Sequence, residues 1–125
     1  MKGYIALTTV LIILPLLLLT GVDSLYRNMT TLIVSKMTYD LNILESNSET
    51  CLEETVYKIK RNRTYTGTFD LSMNDWICTI DVADKVDYPG VKIINIEAQD
   101  TINGIYTFTE KELNINTDPF EISNT

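Results

Sequence analysis

The apolar positions of this chain change period twice, and each change predicts a different kind of structure. From Tyr4 to Val22 the residues are uncharged and mostly apolar. At about 1.5 Å per residue this run makes a helix of roughly 28 Å, close to the ~30 Å hydrocarbon core of a bilayer. From Val22 onward Leu25, Met29, Leu32, Ile33, Met37, Leu41 and Leu44 recur at helical spacing, with Ser24, Asn28, Thr31, Ser35, Thr38 and Asn42 opposite. That pattern predicts one helix of about 40 residues, whose first half faces lipid and whose Met/Leu stripe packs on the chain's own core.

Ser46-Asn47-Ser48-Glu49 then reads as a polar interruption. Thr50 with Glu53 reads as a capping box that opens a second, short helix, with Cys51, Leu52, Thr55, Val56 and Ile59 inward and Lys58, Lys60, Arg61 and Arg63 at its end. After Gly67 the period falls to two. Strands are predicted over 68–71, 76–82, 91–98 and 105–113, with Trp76, Cys78, Ile80 and Val82 sharing a face and Asn103-Gly104 turning the last hairpin. Residues 117–125 read as a loose tail. A long helix followed by short antiparallel strands predicts an α+β fold: a hydrophobic stem at 4–22, an amphipathic half at 23–46, and a small antiparallel head with one extra helix at 47–116.

Composition sharpens this picture. Apart from Lys2, 9 basic residues stand against 17 acidic ones, a net of −8, which opposes general binding to nucleic acid. The basic cluster with Tyr57 and Tyr65 is the one cluster that could touch DNA, and helix-end charge compensation accounts for it. The chain has no histidine, no glycine-rich phosphate loop and no Gly-x-Ser-x-Gly turn, so no enzyme and no cofactor is expected. Asp81, Asp84 and Asp87 could offer oxygens to Ca²⁺, but they do not match an EF-hand loop and read as solvated turn residues. The triplets Asn28-Met29-Thr30 and Asn62-Arg63-Thr64 would be glycosylation sequons only in a eukaryotic secretory pathway.

Cys51 and Cys78 both point inward on this reading. A bond between them closes a loop of about 27 residues, worth on the order of 3.5 kcal/mol, and suits an extracytoplasmic compartment. Two buried free thiols are the other possibility. Two cysteines without histidine do not make an ordinary zinc site.

The start of the chain carries a resemblance. Lys2-Gly3 before Tyr4, then Ile5-Ala6-Leu7-Thr8-Thr9-Val10-Leu11 and a leucine-rich helix running into an amphipathic one, resembles a type IV prepilin signal over about the first 45 residues. Within that family it is most similar to the minor pilins and the related secretion pseudopilins. A conventional signal-peptide cut near Thr20-Gly21-Val22 fits poorly, because Leu19 lies where a small residue is wanted.

The resemblance implies a leader of residues 1–3, cleavage between Gly3 and Tyr4 by a prepilin peptidase, and N-methylation of Tyr4. It also implies a single-pass inner-membrane state with the N-terminus inside, then assembly with other pilin or pseudopilin subunits into an extracytoplasmic filament. Thr8 stands where most pilins carry the glutamate that pairs with a neighbour's terminal amine, which implies a minor, tip or initiating subunit. Pro15 resembles the proline that lets the family's stem melt locally as subunits pack. The alternative is an uncleaved signal anchor carrying an acidic, disulfide-stapled binding module.

Overall fold

A computed structural model describes residues 2–125. It has one helix, α1 (Lys2–Arg61), and five strands: β1 (Gly67–Met73), β2 (Trp76–Asp84), β3 (Val91–Asp100), β4 (Tyr106–Asn114) and β5 (Glu121–Asn124). The strands form one antiparallel sheet in sequence order, β1-β2-β3-β4-β5. The α+β arrangement expected from the sequence is present, with α1 packed on the sheet.

The chain divides into two compact units, one ending at Tyr39 and one spanning Asp40–Thr125. The first is entirely helical. It passes through Pro15 without interruption, although proline has no N–H to give the carbonyl of Leu11. Its threonine hydroxyls are satisfied within the helix, as where Thr9 and Thr31 donate to the carbonyls four residues back.

In the second unit α1 buries Leu44, Ser48, Cys51, Thr55 and Ile59, a stripe with steps of four, three, four and four residues. The sheet answers with alternate residues. Register places Leu71, Cys78 and Ala98 in one row, Phe69, Ile80, Ile96 and Thr109 in the next, and Val82, Ile94 and Lys111 in a third. Cys78, Ile80, Val82, Ile94, Ile96, Ala98 and Leu113 are buried together with the α1 stripe. The inward faces predicted for residues 51–59 and for the strand at 76–82 are the faces observed.

Three expectations are corrected. Residues 46–49 do not interrupt the helix, and the extra short helix does not exist: α1 continues to Arg61. The hydroxyl of Thr50 donates to the carbonyl of Ser46 at 3.1 Å, as a helix-interior threonine does, instead of accepting from a free N–H as a cap would. The Met/Leu stripe is not core, since of its seven members only Leu44 is buried. Finally, the expected tail at 117–125 contains a strand. The register Asn114↔Glu121, Leu113↔Ile122 and Lys111↔Asn124 adds β5 to the sheet.

The ends of the sheet are held by specific polar contacts. In the β3–β4 connection Asp100 accepts from the backbone N–H groups of Ile102 and Asn103 and from the Asn103 amide. These bonds, the side-chain bond from Asn103 first, hold its carboxyl below the ordinary value of 3.8. Gly90 (φ +81°) sits in the β2–β3 connection, where its carbonyl accepts from Ile115 N–H at 2.9 Å and a Cβ would run into the Asn116 side chain.

Lys92 lies on the inner face at the start of β3. Its side chain is 2% exposed and its Nζ reaches the largely exposed Asp84 carboxylate at 2.6 Å. The lysine stem fills core volume while the head finds its partner at the rim. Removing each partner therefore has a different cost. Asp84→Ala, which strands a buried cation, is expected to destabilise by roughly 1–3 kcal/mol, and Lys92→Met, which keeps the volume, by less than about 1 kcal/mol. Urea melts of the two variants check this order.

Candidate functional site

The candidate site is the exposed face of α1 together with the point where the head is stapled to it. A Cβ added at Gly3 would meet nothing within 4 Å outside the adjoining helix, and Tyr4 is exposed, so among the described residues no other element covers the Gly3-Tyr4 bond. Thr8 is exposed and its hydroxyl donates to the carbonyl of Tyr4 at 2.8 Å. Its polar group is thus satisfied within the helix, whereas a carboxylate at the same place would need a cation from elsewhere.

The apolar segment near the N-terminus is long and apolar enough to cross a membrane once, and none of it is buried within the chain. Exposure continues beyond it. Leu25, Met29, Leu32, Ile33, Met37 and Leu41 range from 70% exposed at Leu32 to 40% at Leu41, and Val34 and Ile43 beside them are also open. Fully burying an exposed side chain of this size contributes about 1.5–3 kcal/mol, so the exposed parts of the six stripe residues hold roughly 5–11 kcal/mol in reserve for whatever covers them. That is as large as the whole stability of a typical domain. The stripe is an exposed apolar surface.

The expected disulfide is present. Cys51 and Cys78 are joined at an S–S distance of 2.03 Å with Cα atoms 6.5 Å apart, and both are fully buried. Beside them the buried hydroxyl of Thr55 donates to the Cys51 carbonyl at 2.7 Å. The bond ties α1 to β2 across the middle of the core.

The remaining candidate residues do not converge. Asp81 accepts from the Thr68 hydroxyl on the outer face of the sheet, Asp84 pairs with Lys92 at the opposite face, and Asp87 stands in the following loop at φ 68°. Among the described residues no group of three acidic or cysteine side chains is placed to hold a metal. The basic residues at the end of α1 lie against aromatic rings: Lys58 is 3.6 Å from the centroid of Phe69, and Arg63 is 5.6 Å from that of Phe120. Asn62 is engaged in the turn that ends α1, where its side-chain oxygen accepts from both the N–H and the hydroxyl of Thr64.

The sequence reading missed the Lys92–Asp84 pair. Its signal was available in the period of two, because Lys92 falls in phase with Ile94, Ile96 and Ala98 and so had to face inward.

The staple leads to a stability prediction. Replacing both cysteines by alanine removes the constraint on a 27-residue separation and is expected to lower unfolding free energy by about 3.5 kcal/mol. Chemical denaturation of the double variant against the oxidised protein measures it. Comparison of the sequence with protein-family models, with curated proteins and with solved structures returned no match.

Proposed function

We propose that the chain is a noncatalytic minor pilin or pseudopilin-like subunit. It is held in the inner membrane by the apolar start of α1, with its N-terminus inside, and is then drawn into a type IV pilus or secretion-type filament. The observation that carries this reading is the length of α1 left uncovered. A single bilayer crossing needs about 20 apolar residues, yet exposed apolar positions run from Tyr4 to Ile43. Lipid covers the first part, and the helices of other subunits cover the rest.

Other features agree with it. The Gly3-Tyr4 bond is open to a prepilin peptidase acting at the membrane. Thr8, self-satisfied and uncharged, suits a subunit at a tip or initiation point better than one in a regular repeat. Pro15 leaves the Leu11 carbonyl without its usual helical donor, which lowers the cost of local unwinding there as helices pack. The Cys51–Cys78 bond suits an extracytoplasmic head, and the acidic surface keeps that head soluble. With no histidine in the chain and no metal-holding cluster among the described residues, the site offers packing surface and little chemistry.

The alternative, a signal-anchored binding module with the same head, requires only the first 20 residues or so to be covered. The two readings part at the N-terminus. Mass spectrometry of the protein from cells with an active prepilin peptidase is expected to find a chain beginning at N-methylated Tyr4 and present in sheared filament fractions. A chain that still begins at Met1 and stays with the membrane contradicts the proposal and leaves the anchored module.

A further inference from the structure

The short β5 leaves part of its neighbour's edge open. β4 spans Tyr106–Asn114, but its pairing with β5 stops at Lys111↔Asn124, so among the described residues no strand flanks 106–109 on that side. Antiparallel alternation decides which groups point there. Asp100 N–H donates to the Ile105 carbonyl at 2.8 Å, which makes 100/105 a hydrogen-bonded pair in the β3–β4 register. Ile105, Thr107 and Thr109 therefore turn their backbone groups toward β3. Tyr106 and Phe108 turn their N–H and C=O groups to the open side.

A groove accompanies this edge. Between α1 and the β5-paired end of β4 lies a depression of about 510 Å³ with Leu52, Val56, Tyr57 and Ile122 along it, and with Lys60 and Lys111 as well as Glu49 and Glu53 in its lining. A smaller one shares Glu49, Leu52 and Lys111 with it and extends to Glu45, Ser48 and Thr109. The hydroxyl oxygen of Thr107, in the open stretch, is buried without a hydrogen-bond partner. Such an arrangement has the parts that strand addition uses: main-chain groups for affinity and alternate side-chain positions for selectivity.

The carboxylates Glu45, Glu49 and Glu53 outnumber the two amines, Lys60 and Lys111, that line the groove, and the balance points to a cationic occupant. Glu45, Glu49 and Glu53 are exposed and succeed one another at helical i, i+4 spacing along α1. On the outer face Glu97 is opposite Phe108 in register, and Glu110 follows two residues later. Tyr106 and Phe108 themselves are 69% and 64% exposed, with ring faces free to take a cation. A second copy of this chain is a poor fit, because its own edge strands would bring Asp70 or Glu121 among these carboxylates.

We propose that the β4 edge receives an extended segment of a partner protein bearing lysine or arginine. The segment adds as a strand along residues 106–109, with its cationic side chains between the Glu45, Glu49 and Glu53 ridge on one face and Phe108 with Glu97 on the other. This surface lies wholly in the second unit and holds whether or not the filament reading is correct.

The test uses the full chain in detergent micelles and three synthetic heptapeptides: one alternating lysine with valine, one alternating glutamate with valine, and one alternating lysine with proline. The last has the charge of the first and, with its lysine backbone nitrogens methylated and proline at every other position, has no N–H within the strand to give to a ladder. The lysine–valine peptide is expected to bind saturably and to slow hydrogen exchange at the Tyr106 and Phe108 amides, and the other two are expected to do neither. Phe108→Pro removes an edge N–H and should weaken binding about tenfold, more than Phe108→Ala, which keeps it. Glu45, Glu49 and Glu53 replaced together by glutamine, a surface change independent of any effect of proline on folding, should also weaken binding. Equal binding of the lysine–proline peptide, or no binding of the lysine–valine peptide, overturns the proposal. So does protection appearing on β1 instead of β4. Protection that grows with protein concentration in the absence of peptide overturns it in favour of a second copy.

Discussion

The second unit depends on one seam, the buried line of Leu44, Ser48, Cys51, Thr55 and Ile59 against the inner rows of the sheet. A meander of five short strands has no stable fold without a cover for its apolar face, and the last turns of α1 supply it. The seam is narrow. Two of its five helical residues are hydroxyl-bearing, and one turns its hydroxyl back onto the helix to avoid an unpaired donor in the core. A seam of that composition contributes less burial than an all-aliphatic one, which is why the Cys51–Cys78 bond, placed at its middle, matters more here than it would in a larger core. Lys92 extends the same economy at the edge, filling volume with its stem and carrying its charge out to Asp84.

The rest of α1 follows from what the seam does not cover. The helix takes up its buried line only at Leu44, yet apolar residues occupy its surface for some 40 residues before that. Water is an unfavourable solvent for such a surface, and among the described residues no second layer buries it. Such a helix leaves apolar surface for something else to cover: its first turns suit lipid, and on the proposed reading the helices of other subunits cover the stripe from Leu25 to Leu41. The division of labour between a solvated, acidic, covalently stapled head and an apolar shaft supports the proposed subunit reading.

Much of this was legible in the residues. Period-two alternation at Trp76, Cys78, Ile80 and Val82 identified a sheet face, and the inward phase of Cys51 with Cys78 identified the staple. The failures have physical causes. Thr50 and Glu53 match a capping box in spelling, but a cap works only where the backbone N–H groups are free, and sequence does not reveal that Thr50 bonds backward to Ser46. Ser48 looked like part of a linker because it is polar, although it sits in phase with Leu44 and Cys51 and faces Thr109 across the core. The stripe at 25–41 was visible as a stripe. Periodicity says that a face is apolar and leaves open whose surface covers it. β5 was hidden because Glu121-Ile122-Ser123-Asn124 offers a single apolar residue, so its pairing with β4 rests on backbone groups that composition does not report.

The central claim is that the stripe on α1 is covered in the assembled state by helices of other subunits. Thiol labelling in intact cells measures this directly. Leu32→Cys is compared with Val86→Cys, an 80% exposed position in the head, using a membrane-impermeant maleimide. The account predicts that Leu32→Cys is protected while Val86→Cys reacts, and that oxidation links Leu32→Cys to a neighbouring subunit carrying a cysteine on its own helix. Labelling of Leu32→Cys as fast as Val86→Cys, with no cross-link formed, would contradict it.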